Sequence, residues 1–364
     1  MAANPEGGIQ RQADAANDPP LPPRGRDDKT AAAQRRAEQR AERITAGLDD
    51  LELWLGDQIR TGLTTLKRAG YREIDEQARR LVDAQAPGVA AMVRDLAAAL
   101  SDEDWADRTL TEFALLHLLV RGWRHRAAMP APLAATVRRR IGLTTTSAEI
   151  ARVGEHVADD WLVLGSRDNL LDKLIERRIW LQGRDSGRIA LLLSFAPPGL
   201  PLGPDLDVGK WFPMELVFVP EAAPLRAVVV YPEEISGHPA PGPFALDHTG
   251  AQPWFKAPRT PGNTLDDLAE RFAATLAADP WTTGVPGVVA RAELGFDAAE
   301  EVWWVLDQAG SSMVPLTVPG EKVDRLRYQL LAACSGRPVA LFGEYRPSGF
   351  MPITVFGDDQ AVSV

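Results

Sequence analysis

A long helix-forming run with almost no proline is the feature that most constrains the fold of this chain. Between Thr30 and Met129 the only proline is Pro87, and strong helix formers fill the run. Apolar residues recur three or four positions apart along its first stretch, which indicates one buried helical face. They are Ile44, Leu48, Leu51, Leu55, Ile59, Leu63 and Leu66. Together with the apolar stretches that follow, this pattern predicts an all-helical bundle over residues 30–145.

The pattern changes after about residue 145, where short apolar runs alternate with turns that contain glycine. The run RRIWLQGRDSGRIALLLSF (177–195) predicts a β-hairpin, and segments that start at Val302 and Ala340 repeat this form. Two helices are predicted, over residues 265–278 and 321–334. The mixture predicts an α+β fold with a mainly antiparallel sheet over residues 146–364. The repeated hairpins indicate either a duplicated unit or shared turn chemistry.

Residues 1–29 and the single cysteine exclude several classes of protein. The first 29 residues are rich in Pro, Gly, Asn and Asp, which predicts a disordered tail or linker. They lack the basic start and apolar core of a secretory signal peptide. The longest apolar run, 189–204, is broken by three prolines and cannot span a membrane as a helix. Cys334 is the only cysteine, which excludes a disulfide framework and a cysteine-based metal site. We expect a soluble, cytoplasmic protein without a cofactor.

The net charge of −10 is distributed unevenly along the chain. Residues 1–140 carry a net charge of +1, and the remaining residues carry −11. An acidic surface repels phosphate backbones, so the second half is a poor candidate for binding nucleic acid. Any such contact is expected from the arginine-rich helical half.

Several long runs of ordinary residues resemble one bacterial family. RRAEQRAERITAGLDDLELWLGDQIRTGL (35–63) and ARRLVDAQAPG (78–88) are similar to the region that follows the zinc module in bacterial SWIM zinc-finger proteins. WLVLG (161–165), the 177–195 hairpin and the terminal PVALFGEY and PITVFGD are similar to the remainder of those proteins. The resemblance covers residues from Ala31 to the C-terminus, and it includes no catalytic signature.

The resemblance implies partners but no zinc chemistry. The family's zinc ligands are a Cys-x-Cys and a Cys-x-His, a tetrahedral set that a chain with one cysteine cannot supply. The zinc module is therefore absent here, whether encoded separately, truncated or lost, and no metal site is expected. Genes of this family accompany MoxR-type AAA ATPases and von Willebrand factor A-type proteins. The resemblance therefore implies a role beside a remodelling ATPase.

Three groups of residues are candidates for binding. The polar and aromatic segment that contains Asp247, His248, Trp254 and Lys256 is read as a binding loop, a catalytic loop or a plain connection. Trp303 and Trp304 are adjacent on a predicted strand, so one should face the core and the other the opposite side of the sheet. The exposed helix start contains Arg35, Arg36, Arg40 and Arg43 among acidic residues. It is read as a solvated helix with ion pairs four residues apart, or as a contact for protein or nucleic acid.

No motif in the sequence assembles a coherent catalytic set. The leading hypothesis is therefore a non-enzymatic adaptor or scaffold that binds a protein, with a MoxR-type ATPase or a von Willebrand factor A-type protein as the implied partner. A nucleic-acid-associated protein is the first alternative. An unrecognised hydrolase or transferase that uses the 247–256 loop is the second. No membrane contact is expected.

Overall fold

The first part of the chain is helical. The computed structural model describes residues 26–171, 173–230, 252–253, 263–307, 312–317, 323–334, 336–357 and 361–364. The described helices of the first part are α1 (Arg26–Thr61), α2 (Leu63–Ala69), α3 (Tyr71–Asp83), α4 (Pro87–Leu100), α5 (Trp105–His125), α6 (Ala131–Ile141) and α7 (Ser147–Val153). Helix α5 lies at the centre and packs against α1, α4 and α6. The predicted helical bundle is confirmed.

The bundle core follows the apolar periodicity of the sequence. Ile44, Leu48, Leu51 and Leu55 are at most 4% exposed, and they pack with the inward residues of α3 to α6. Ile59, which the same periodicity placed inward, is 55% exposed, because the buried face of α1 passes through the neighbouring Gln58, which is 6% exposed and donates to Glu73 at 2.8 Å. A one-residue break at Gly62, with φ of 91°, separates α1 from α2. The left-handed φ explains why glycine stands there.

The start of α1 corrects the predicted extent of the N-terminal tail. The tail was predicted over residues 1–29, but α1 already begins at Arg26. Once a helix has formed, each further residue adds a hydrogen bond at low entropic cost, so a strong helix-forming run extends into neighbouring residues. Residues 1–25 lie outside the described part of the chain.

The strands that follow α7 form a first six-stranded sheet. Its members are β1 (Glu155–Leu171), β2 (Leu174–Gly183), β3 (Ile189–Ala196), β4 (Lys210–Phe218), β5 (Ala227–Val229) and β6 (Gln252–Pro253). The order is β3-β2-β1-β4-β5, all antiparallel, with β6 beside β4. The Leu191 N–H donates to the Leu225 carbonyl at 2.8 Å, and Leu191 and Arg226 form a parallel bridge. This contact joins the edges β3 and β5, so the sheet closes into a barrel.

A second closed sheet follows helix α8 (Leu265–Ala278). Its members are β7 (Val285–Asp297), β8 (Val302–Asp307), β9 (Ser312–Pro315), β10 (Val339–Arg346), β11 (Gly349–Phe356) and β12 (Ala361–Ser363). The order is β12-β11-β10-β7-β8-β9. A parallel bridge between Leu316 and Phe350 joins the end of β9 to β11, and the Thr317 N–H donates to the Phe350 carbonyl at 2.9 Å. Helix α9 (Val323–Cys334) lies between β9 and β10 in sequence, and its Leu330 and Cys334 are buried in the barrel core.

The two barrels repeat one topology. In each, the first strand pairs with the second and the fourth, the second pairs with the third, and the fifth pairs with the fourth and meets the third in parallel. The two barrels therefore share a strand order and not only the chemistry of their turns. The fold is helices followed by mainly antiparallel sheet, as predicted, and two Greek-key barrels make up the second part.

The barrels pack against each other through their outer faces. Trp180 of the first barrel meets Phe342 of the second edge-on, with ring centroids 5.9 Å apart. Leu162, Leu164, Val288 and Ile353 belong to the same apolar interface. Among the described helices, none combines the length and apolar character needed to cross a lipid bilayer.

Candidate functional site

A cleft of about 680 Å³ lies where the helical bundle and the two barrels meet. The bundle contributes the end of α6, and the first barrel contributes the outer face of β2 and β3 and the loop from β4 to β5. Helix α8 and the start of β7 complete the wall. Six arginines line it: Arg139, Arg140, Arg178, Arg188, Arg226 and Arg271. Its acidic residues are Glu221, Asp279 and Glu344. We call this site the arginine cleft.

One end of the arginine cleft is a buried ion cluster that joins the bundle to the barrels. Arg140 donates to Asp279 at 2.7 Å, and Arg139 Nε lies 2.6 Å from Glu221 Oε1 without hydrogen-bond alignment. Both carboxylate side chains are only 5% exposed. Burial raises the pKa of Glu221, and neighbouring Arg139 offsets part of that rise. Burial and the charge of Arg139 lower the pKa of Arg140, partly offset by Asp279.

Trp281 reinforces the same junction. It follows α8 in the chain, yet its ring lies in the core of the helical bundle and is 6% exposed. The indole N–H donates to the Leu115 carbonyl of α5 at 3.0 Å. On the same side, the Ala222 N–H donates to Thr136 Oγ1 of α6 at 3.0 Å. These contacts fix the bundle and the barrels as neighbours across the cleft.

The remaining four arginines of the cleft differ in how their charge is balanced. Arg178 pairs with Glu176 at 3.0 Å, and Arg188 pairs with Glu155 at 2.5 Å. Arg226 and Arg271 have no carboxylate oxygen within 4.0 Å among the described residues. Burial lowers the pKa of Arg226, where nearby Glu221 offsets part of the shift and Arg139 adds to it. Burial also lowers the pKa of Arg271, which donates to the Pro286 carbonyl at 3.2 Å.

Apolar side chains form a second wall of the cleft. Leu191 and Leu193 alternate with the buried interior residues Ala190 and Leu192, so they point to the outside of the first barrel. Leu193 pairs across the sheet with Arg178. The cleft therefore combines cationic donors with an apolar wall, the mixture typical of sites for small organic ligands.

The structure separates the two adjacent tryptophans, as the strand alternation predicts. Trp303 shares a side of β8 with the buried Val305, and its ring lies 5.0 Å from that of Phe296. Trp304 is half-buried on the opposite side, where its cross-strand partner is Pro315 of β9. Neither tryptophan lines the arginine cleft.

The predicted arginines of α1 stand apart from the cleft as well. Arg35, Arg36 and Arg43 are exposed and Arg40 is half-buried, in a part of α1 that extends beyond the bundle core. Within the described chain, none of the four forms an ion pair within 4.0 Å. The predicted ion pairs four residues apart are therefore not made, because long exposed side chains gain little from a fixed geometry in water.

The other predicted site residues, Asp247, His248, Trp254 and Lys256, lie outside the described residues. The three readings of their loop stay predictions. In the part of the chain that the structure describes, no three His, Cys, Asp or Glu side chains converge as metal ligands.

One local sequence signal lies at the arginine cleft, a run of three arginines at the end of α6. Arg138, Arg139 and Arg140 close α6, where basic residues are favoured by the helix dipole. Arg178, Arg188 and Arg226 are more than 35 residues further on, and only the closure of the barrel brings them to the same place.

The fold and the site define a class: a helical bundle fixed to two Greek-key barrels, each closed by its first five strands with a sixth strand added. Barrels of this kind include the OB fold, which binds ligands on its second and third strands and adjoining loops. Residues 39–141 match the SWIM-associated four-helix bundle domain. The resemblance is thus confirmed for a SWIM-family helical region, in a sequence without the Cys-x-Cys and Cys-x-His set. No curated protein and no solved structure matches the chain.

Proposed function

We propose that this protein acts by binding rather than by catalysis, as a cytoplasmic adaptor or scaffold for a protein partner. The observation that supports the proposal is an apolar strip on the outer face of the second barrel. Trp304 and Leu306 of β8 pair with Pro315 and Met313 of β9, and Met313 is 59% exposed. We call these four residues the Trp304 strip.

The position of the Trp304 strip favours a binding role. It lies on the second and third strands of its barrel, which is the face that OB barrels use for ligands. Tryptophan and methionine are enriched where protein partners meet, because they bury large adaptable apolar surfaces. The acidic character of the second half of the chain favours a protein partner over a nucleic acid.

The resemblance to SWIM zinc-finger proteins supports a choice of partner. A MoxR-type AAA ATPase or a von Willebrand factor A-type protein is the partner we propose, and the rigid junction of bundle and barrels would let one chain hold two surfaces in fixed relation. Both partner types can be purified and titrated against the full chain by isothermal calorimetry.

The test compares Trp304→Ala with Tyr328→Ala, which removes another aromatic ring that is 72% exposed. A central tryptophan at an interface contributes about 2 kcal/mol or more, so we expect Trp304→Ala to weaken binding by about thirtyfold. Tyr328→Ala should bind like the wild type. If the full chain binds neither partner type and is recovered from native lysate as a lone monomer, the adaptor proposal is wrong.

The barrel architecture also favours a second candidate, binding of single-stranded nucleic acid. OB barrels stack bases on aromatic rings and bind phosphates with basic groups; the half-buried Trp304 offers such a ring, and the arginines of α1 offer basic groups in another part of the molecule. Fluorescence anisotropy with a single-stranded oligonucleotide would show affinity falling with salt, by a logarithmic slope of about −0.7 per phosphate contacted. Replacing Arg35, Arg36, Arg40 and Arg43 by glutamine should reduce that slope. No binding at low salt would remove this candidate.

A further inference from the structure

The arginine cleft carries more positive charge than the protein's own contacts neutralise. Four of its arginines each lie within 4.0 Å of a carboxylate, in the pairs Arg139–Glu221, Arg140–Asp279, Arg178–Glu176 and Arg188–Glu155. Glu344, the remaining acidic residue of the cleft, pairs with Arg346 instead. The charges of Arg226 and Arg271 are therefore left without a contacting carboxylate in the described structure.

The donors of these two arginines are also incompletely used. Arg271 has one described acceptor, the Pro286 carbonyl. The Nε–H of Arg226 is buried and has no hydrogen-bond acceptor among the described residues. A guanidinium offers five N–H donors in a planar fork that matches the oxygens of a phosphate. A buried donor without an acceptor is costly, so an anion that accepts these bonds would gain binding energy.

The volume and the lining of the cleft suit a small molecule rather than a polymer. Its volume of about 680 Å³ lies within the range of sites for small ligands. The apolar wall of Leu191 and Leu193 faces the outside of the barrel and borders the arginines. A ligand with both an anionic group and a carbon skeleton would contact both walls.

We propose that the arginine cleft binds a small organic phosphate, with the phosphate held by Arg226 and Arg271 and the carbon skeleton placed against Leu191 and Leu193. Arg226 belongs to the first barrel, Arg271 to α8, and Arg139 and Arg140 to the bundle. A ligand held by Arg226 and Arg271 contacts the first barrel and α8 and lies beside the bundle arginines, so binding tightens the contact between the first barrel and α8. The site is separate from the Trp304 strip, so the protein would bind a small molecule in addition to its protein partner.

The test measures binding of two probes to the full chain by isothermal calorimetry and thermal unfolding. ADP carries phosphates and a large organic part, whereas inorganic pyrophosphate carries phosphates alone. We expect saturable binding of ADP with one site per chain, weaker binding of pyrophosphate, and a midpoint of thermal unfolding that rises with ADP concentration.

Variants separate the two walls of the site. Arg226→Gln and Arg271→Gln should each weaken both probes by about tenfold or more, since each removes charge-assisted hydrogen bonds. Arg226→Lys should recover part of the affinity, because it restores the charge without the planar fork. Leu193→Ala should weaken ADP and leave pyrophosphate unchanged. The control Arg68→Gln replaces an exposed arginine of α2 that does not line the cleft, and it should bind both probes like the wild type.

Circular dichroism of each variant without ligand shows whether it is folded. If Arg226→Gln does not fold, Arg226→Lys takes its place in the comparison. The proposal is overturned if neither probe binds saturably, or if binding is equal in Arg226→Gln, Arg271→Gln and Arg68→Gln. Pyrophosphate binding as tightly as ADP would overturn the organic part of the assignment.

Discussion

Replacing Trp281 by alanine tests whether the barrels and the bundle form one stable body. The residue lies outside the helical part in sequence, but its ring is 6% exposed within the bundle core. A tryptophan buries about 200 Å², and at about 25 cal/mol per Å² the burial is worth about 5 kcal/mol at most. Loss of the hydrogen bond from the indole to Leu115 adds about 1 kcal/mol. Large aromatic truncations in cores cost about 3–5 kcal/mol, and we expect Trp281→Ala to lie in that range.

The assay is urea unfolding followed by the helical circular dichroism signal, which reports on the bundle. Trp281→Phe keeps a six-membered aromatic ring but removes the N–H donor and the five-membered ring of the indole, so it should cost less than Trp281→Ala, about 1–2 kcal/mol. Tyr328→Ala, an aromatic truncation at a side chain that is 72% exposed, should change the free energy of unfolding by less than about 0.5 kcal/mol. If Trp281→Ala leaves the helical transition within about 0.5 kcal/mol of the wild type, the ring does not support the bundle and the junction reasoning is refuted.

Two further predictions concern local packing and the pKa of one histidine. Gly88→Ala should destabilise the protein by about 1–3 kcal/mol in urea unfolding, because the added Cβ would lie 2.2 Å from the backbone carbonyl oxygen of Arg140. Gly56→Ala, in helix α1 with only a flexible side chain within 3.2 Å, should instead stabilise it by about 0.5–1 kcal/mol, and equal effects of the two changes would contradict the packing argument. The hydrogen bonds from His156 to Glu215 and the Ala151 carbonyl raise the pKa of that imidazole above 6.5, so their stabilisation is fully present below pH 6.5 and is lost as the pH rises through the folded-state pKa. NMR titration should show that Glu215→Gln lowers this pKa, and an unchanged value would rule out the assigned cause.

The ion pairs of the arginine cleft also have a structural role, because they hold the bundle to the barrels. Glu221 and Asp279 are buried carboxylates that neutralise the arginines of α6, so the bundle is held to the barrels by charges that water scarcely reaches. Removing one member of such a pair leaves an uncompensated buried charge, which is more costly than the pair is favourable. Among the described residues, no carboxylate contacts the neighbouring Arg226 or Arg271, which is why we assign the ligand to them.

The sequence pattern predicted the buried residues correctly where burial depends only on position within a single helix or strand. The apolar spacing from Ile44 to Leu55 and the alternation at Trp303 and Trp304 gave the correct buried faces. Both depend only on the period of a helix or a strand. The exposed side chain of Ile59 did not follow the pattern, because the polar Gln58 takes the buried position there and bonds to Glu73.

The candidate site could not be predicted in this way. The arginines of the cleft come from α6, β2, the start of β3, the edge of β5 and α8, and only Arg178 and Arg188 are joined by a locally predicted hairpin. Sequence reasoning favours a polar loop at 247–256 because loops often carry function, whereas three arginines at a helix end are expected from the helix dipole alone.

By itself, the sequence determined that a helical bundle precedes a mainly antiparallel part, and it indicated the SWIM-family helical region that residues 39–141 match. These properties depend on residues that are close together in the chain. Only the tertiary structure decided that each sheet closes on itself, through Leu191 with Arg226 and through Leu316 with Phe350. It also decided that Trp281 enters the bundle and that six distant arginines share one cleft. Such contacts depend on the summed packing of whole elements, because the entropy of closing a long loop is offset only when many side chains pack at once.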